Sequence, residues 1–253
     1  MLDFSNPGAT GIAMLKTVTR PDWLRQPRAN FSIFKEHKTV DLRWKTDRPA
    51  LHLYDKRAMY LGAASSVKLG VGVPELVQAP RLEDRAGLWH IVVTFSQGQD
   101  FPSLVRTAES WQYTPIVQAL RASGYEVQAV EAWLFPEQHA LLRPFYERVK
   151  ALWEATANDP EARRQVKHLY TITFGMLAHE RPGYGTGYIY RPDWTFSLVA
   201  EAKARMFYQM LKVLEIDGVA PSQVKTDCIW YPRPVNALPV GERIGQFKYK
   251  LAE

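Results

Sequence analysis

Apolar and polar positions alternate in short runs through the first half of the chain and recur at helical spacing through the second. ALHLYD, residues 50–55, reads as a buried strand in which Leu51, Leu53 and Asp55 share one face by period-two alternation. WHIVVTF around Val92 and EVQAVEAWLF around Val130 read as two further strands. From Pro136 the period lengthens. Leu141, Phe145, Val149 and Leu152 fall at helical intervals, with Pro144 marking a kink or a late start. Asn158-Asp159-Pro160 supplies a turn and EARRQVKHLYTITFGMLA a second helix, so the two are predicted to fold back as an antiparallel hairpin. A loop, RPGYGTGY, leads to a third helix, SLVAEAKARMFYQMLKVLE, that stops near Asp217-Gly218. VKTDCIWY and GQFKYKLA are predicted as closing strands. Strands around a helical hairpin predict an α+β fold, preceded by a mixed, basic lead-in segment (1–49) that wraps the rest.

Composition adds a partner class and removes others. At 253 residues and 46% apolar, with eight Trp and twelve Tyr, the chain can bury a sizeable core. Its formal net charge of +6 suits a polyanionic partner, though surplus lysine also serves solubility. Cys228 is the single cysteine, which excludes an internal disulfide and a cysteine-built zinc site. The six histidines form no H-x-x-x-H or H-x-H pattern on a predicted element, so a histidine metal centre is not expected. The start lacks a basic segment followed by an apolar core, and no apolar run approaches the ~18 residues of a membrane span. These features predict a soluble, cytoplasmic protein with no membrane partner.

Three short segments narrow the reading. Asp55-Lys56-Arg57-Ala58-Met59-Tyr60-Leu61 follows the first strand. Lys167-His168-Leu169-Tyr170-Thr171-Ile172-Thr173-Phe174-Gly175 lies on the second predicted helix, and Lys225-Thr226-Asp227-Cys228 lies where a β-hairpin is expected. Together, in this order, they resemble the D-x-x-S-L-Y-P, K-x-x-x-N-S-x-Y-G and D-T-D-S motifs of family B DNA polymerases, the protein-primed phage and actinobacterial branch most of all. Ile244-Gly245-Gln246-Phe247-Lys248 resembles the glycine-then-lysine strand that follows the third motif. Each motif alone is common; their order and placement carry the resemblance, which runs from about Leu51 to the C-terminus.

The resemblance implies a palm, an antiparallel sheet backed by helices, in two parts (50–135 and 179–253) with a fingers hairpin (136–178) between them. It implies two Mg²⁺ (or Mn²⁺) ions held by Asp55 and Asp227, completed by the backbone carbonyl of Lys56. Hard oxygen donors suit such ions, which activate a primer 3′-hydroxyl and neutralise the triphosphate. Lys167 would meet the triphosphate, with Arg164 and Arg148 as further phosphate contacts and Arg163 on the same basic face. Tyr60 would be the steric gate under the deoxyribose, Thr171, Phe174 and Gly175 would face the nascent base pair, and Lys248 and Lys250 would hold DNA. The implied partners are primer-template DNA, a dNTP, and a terminal protein or a second subunit supplying thumb function.

Bland alternatives stand beside each role. Asp55 is also a strand-end residue, Asp227 a hairpin-tip residue, the Arg163–Arg164–Lys167 face a solvated charge face, Tyr60 core, and Gly175 a packing glycine. Gly183-Tyr184-Gly185-Thr186-Gly187 reads as a connector rather than a phosphate loop, because it is no strand-to-helix turn. Cys228 reads as a small packing residue. The chain also departs from the pattern. Ala58, Leu61, Thr171 and Ile172 replace usual motif residues, and neither a proofreading exonuclease before Asp55 nor a full thumb after Lys248 is expected. Lys225 stands where a carboxylate is usual, and is expected on the same strand face as Asp227, competing with a cation there. Two functions follow: a minimal template-directed DNA polymerase without proofreading, or a polymerase-derived module that binds DNA or protein without synthesis.

Overall fold

Strand alternation builds one sheet with a buried side and an open side. The computed structural model describes residues 6–19, 31–39, 42–94, 101–179 and 189–251. Its five-stranded antiparallel sheet has the order β1 (Arg43–Lys45), β9 (Gln223–Lys225), β10 (Cys228–Tyr231), β2 (His52–Lys56), β11 (Phe247–Leu251). Directly paired residues point to the same face. One face carries Val224, Ile229, Tyr231, Tyr54, Lys56 and Phe247, all buried. The other carries Arg43, Lys225, Cys228, Asp55 and Lys248 in one register row and Lys45, Gln223, Trp230, Leu53 and Lys250 in the next. All ten are exposed or half-buried.

This reverses one expectation. Leu51, Leu53 and Asp55 do share a face, but it is the open one, and Leu51 is 51% exposed. The buried face of β2 is Tyr54 and Lys56. Tyr54 packs edge-on against Tyr231 and satisfies its hydroxyl on the Val235 backbone, accepting from N–H at 3.0 Å and donating to C=O at 3.3 Å. A hydroxyl so partnered and a lysine stem can fill a core that a hydropathy pattern assigns to leucine.

A second antiparallel sheet runs β4 (Glu75–Gln78), β7 (Glu126–Leu134), β5 (Gly87–Thr94), β6 (Glu109–Tyr113), and a short pair joins β3 (Leu69–Val71) to β8 (Glu137–His139). The segment after Pro136 thus begins as a strand. The helix it leads to, α5 (Arg143–Ala155), starts late, with Pro144 in the first turn where its missing N–H costs nothing. Asp159 caps α6 (Pro160–Ala178) by accepting from the Glu161 and Ala162 N–H groups. Phe145 at the start of α5 meets Phe174 near the end of α6, and Trp153 near the end of α5 lies under the Arg163 guanidinium near the start of α6, so the pair is antiparallel.

The long helix α7 (Pro192–Asp217) buries Trp194, Leu198, Met206, Phe207, Met210 and Val213 and contacts α3 (Met59–Ala64), α4 (Thr114–Ala122) and α6. Its N-terminal end is pinned by Arg191, fully buried, which pairs with Asp193 at 2.6 Å and donates to the Gly70 carbonyl at 2.7 Å. Its other end stops at Gly218 in the left-handed region, φ 64°. The lead-in segment contributes α1 (Pro7–Val18), α2 (Phe31–Glu36) and β1, none of which the apolar pattern predicts. VKTDCIWY is two strands, β9 and β10, parted by the turn residues Thr226 and Asp227. RPGYGTGY lies outside the described residues. No helix among the described residues is long and apolar enough to cross a membrane.

Candidate active site

Two backbone features bring the paired carboxylates together. Asp55 is the penultimate residue of β2 and stands in register with Cys228, the first residue of β10. Asp227 precedes Cys228 in the hairpin turn, which Thr226 closes in the left-handed region at φ 57°. The Lys56 N–H donates to the Asp227 carbonyl at 2.8 Å and ties the turn to β2. Ligand atoms of Asp55, Asp227 and Cys228 consequently lie within 4.8 Å of one another.

Electrostatics differ among the three. Burial and then the Asp55 charge push the Asp227 carboxyl up, while the Lys167 ammonium draws it down. Burial, then the Asp227 and Asp55 charges, push the Cys228 thiol up to about 12, and the thiol donates to Asp227 Oδ1 at 3.7 Å. Cys228 is therefore a neutral thiol at neutral pH, a poor donor to a hard cation. The two carboxylates fit one well: crowded oxygens, one of them drawn from water, are what a divalent cation relieves. Lys250 meets Asp55 Oδ2 at 3.7 Å, a half-exposed pair across β11 and β2.

The helical hairpin faces this pair through α6. Lys167 is exposed and close enough to act on Asp227, and one turn on, burial and then the Asp227 charge raise the Tyr170 phenol. Phe174 is buried against Phe145 and Tyr170, while Thr171 is exposed. A Cβ added at Gly175 would meet nothing within 4 Å, so packing does not require glycine there. The other cations are engaged elsewhere. Arg163 donates to the Trp153 carbonyl at 2.8 Å, Arg164 makes two hydrogen bonds to Glu161, and Arg148 donates to Thr17 Oγ1 at 3.0 Å on α1. Tyr60 lies half-buried in α3, packed against the core, just after Ala58 at φ 49°. Lys248 is exposed on the open face in register with Asp55.

Lys225 differs from expectation. It ends β9 while Asp227 lies in the turn beyond, so the two share no strand face. The cation that acts on Asp227 is Lys167. The sequence did not place three neighbours beside the carboxylates: Cys228, read as a packing residue, the Tyr170 phenol, and Lys250, read as a DNA contact. The i, i+3 spacing of Lys167 and Tyr170 carried the signal for the second. Register, which the sequence does not show, decides the other two.

No family model and no curated protein matches this sequence. Solved structures do. Phi29 DNA polymerase complexed with primer-template DNA (a post-translocation binary complex) aligns over 97% of this chain and 52% of its own, with a TM-score of 0.71 and 14% identity. The chain shares the fold of about half of phi29 DNA polymerase. The same polymerase complexed with single-stranded DNA gives a TM-score of 0.70 at 14% identity over 98% of this chain, and its orthorhombic crystal form 0.67 at 12% over 95%. At such identity the likeness is one of fold.

Proposed function

We propose that this chain is the palm and fingers of a template-directed DNA polymerase that transfers dNMP to a primer 3′-hydroxyl. The observation that carries the reading is the approach of the Asp55 and Asp227 carboxylates within 4.8 Å on the open side of the sheet, opposite Lys167. Asp55 and Asp227, with the Lys56 carbonyl, would hold two Mg²⁺ or Mn²⁺ ions, which supply hydroxyl activation and charge neutralisation. Lys167 orients the triphosphate, aided by Arg164 and Arg148 once they exchange their present partners for phosphate. Tyr60 closes the space a 2′-hydroxyl would need. Thr171 and Gly175 line the base-pair side, with Phe174 buried behind them, and the open space at Gly175 admits a base closely. Lys248 and Lys250 hold the primer backbone. The partners are those of the phi29 polymerase complexes, primer-template DNA and an incoming nucleotide.

One observation favours a second reading, a module that binds DNA without synthesis. Lys225 replaces a motif carboxylate and joins Arg43, Lys45, Lys248 and Lys250 on the open face, a surface suited to binding alone. Primer extension with dNTP and Mg²⁺ separates the two, using wild type and Asp227→Asn alongside DNA binding by fluorescence anisotropy. Extension lost in Asp227→Asn with DNA binding kept is expected. Binding without extension in wild type selects the second reading, and extension that survives Asp227→Asn overturns the catalytic assignment. Primers bearing a protein hydroxyl, RNA or DNA end, compared in the same assay, identify what starts synthesis.

A further inference from the structure

The reverse side of β2 holds a charge that the carboxylate pair does not use. Alternation sends Asp55 to the open face and Lys56 into the layer between the sheet and α7, where Lys56 is only 8% exposed. Its ammonium lies 4.6 Å from the Phe247 ring centroid, and among the described residues no carboxylate and no hydrogen-bond acceptor meets it. An ammonium largely withdrawn from water with no carboxylate beside it is disfavoured, and an anion bound next to it would relieve that cost. Lys56 borders a cavity of about 270 Å³ whose lining includes Met59, Arg205, Tyr208, Gln209 and Gly245. That volume is many times the ~30 Å³ share of one water.

The rest of the lining is also poised for an anion. Arg205 adds a second positive charge. It is held by Glu201 at 2.7 Å, by the Gly62 carbonyl at 2.7 Å and by Ser66 Oγ, bonds that leave N–H groups on both terminal nitrogens. Glu201 is thereby committed and does not neutralise Lys56. The buried Oε1 of Gln209 has no hydrogen-bond partner, so its amide can turn to present N–H groups or accept from a ligand hydroxyl. Tyr208 supplies a phenol. Two cations and two further donors exceed what a single carboxylate needs, and they match the several oxygens of a phosphate.

We propose that this cavity binds a small phosphate-bearing anion, anchored by Lys56 and Arg205 and completed by Tyr208 and Gln209. The site is separate from the carboxylate pair but one peptide away from it, because the Lys56 N–H holds the Asp227 turn. An occupant would therefore brace the strand that carries Asp55. The proposal does not depend on polymerase activity, since binding is read without turnover.

Isothermal titration calorimetry of the metal-free protein with inorganic phosphate, pyrophosphate and succinate tests it. Saturable one-to-one binding of phosphate or pyrophosphate is expected, kept in Lys167→Ala and weakened at least ten-fold in Lys56→Met, which retains the stem's packing on Phe247. Gln209→Leu and Tyr208→Phe should each weaken it several-fold, and they carry the test if Lys56→Met does not fold. No saturable binding in wild type overturns the proposal, as does binding unchanged by Lys56→Met or by both other variants. Binding abolished by Lys167→Ala alone would assign the phosphate to α6 and overturn it too. Succinate bound in preference to either phosphate overturns the ligand class.

Discussion

Asp227 concentrates the chemistry of the candidate site in one side chain whose environment works against its own charge. Its carboxyl is raised above the ordinary 3.8 by burial first and by Asp55 next. Between 3.8 and that raised value the folded chain keeps a proton that the unfolded chain has lost. Stability therefore falls as pH rises through this window and stays lower at neutral pH. Asp227→Asn removes the cost, so the metal-free variant should melt above wild type at pH 7, by about 2–4 °C for each kcal/mol recovered in a chain of this size. The difference should shrink as pH falls towards the ordinary carboxylate range. Adding Mg²⁺ should raise the melting temperature of wild type and leave Asp227→Asn unmoved. Thermal melts across pH, with EDTA or Mg²⁺, check both, and a variant that melts below wild type at neutral pH refutes the electrostatic account. Lys56, beside Asp55 on β2, shows the opposite sign for a cation: burial, then Arg205, lowers its ammonium to about 8.

At the scale of elements, the candidate site depends on how α6 is held over the sheet. Helix α1 packs along it through glycines: a Cβ at Gly11 would collide with Thr173 Oγ1 and lie 3.2 Å from the Leu169 carbonyl, and one at Gly8 would press Ile172 and Met176. In an isolated helix alanine is better than glycine by about 1 kcal/mol. Here close approach decides the sign. Gly11→Ala should destabilise the chain by about 1–3 kcal/mol, because overpacking outweighs propensity. Urea denaturation checks it, and a stabilised variant would show that α1 and α6 do not meet at Gly11. The β9–β10 hairpin is the second such device, since its left-handed Thr226 turns Asp227 towards Asp55 rather than along β9.

Across the whole molecule, charge is sorted by the sheet. The formal net charge of +6 says only that cations exceed anions. Register collects Arg43, Lys45, Lys225, Lys248 and Lys250 on one open face, with Trp230 and Leu53 among them. A polyanion laid there releases counterions, so binding of primer-template DNA should weaken steeply with salt. The double variant Lys45→Glu, Lys225→Glu should bind roughly ten-fold or more weakly at moderate salt. The slope of log affinity against log salt should become shallower by about 0.7–0.9 for each phosphate that the variant no longer neutralises. Anisotropy titrations at several salt concentrations measure both, and an unchanged slope would move the DNA path off this face.

Local features could be read from the order of residues alone. Spacing of Leu141, Phe145, Val149 and Leu152, the Asn158-Asp159-Pro160 break and the Asp217-Gly218 stop foretold the helical hairpin and the third helix, because period and caps act within a few residues. The strands around Leu53, Val92 and Val130 were legible for the same reason, and the three motifs pointed to the two carboxylates. Which face of β2 is buried was not legible, since Tyr54 and Lys56 fill a core only because Val235, Tyr231 and Phe247 receive them from distant segments. Strands β1, β4, β6 and β8 (RWK, ELVQ, ESWQY and EQH) are mostly polar and β3 (LGV) is short, so no apolar alternation marks them. They exist as strands because partners far along the chain pair with them. Likewise Asp55 sits at position 55 and Asp227 at 227, and no local pattern measures the gap between them. Only pairing of β10 with β2 closes it, while alternation along β2 turns Lys56, paired with Phe247 of β11, away from the carboxylates and into the cavity behind them.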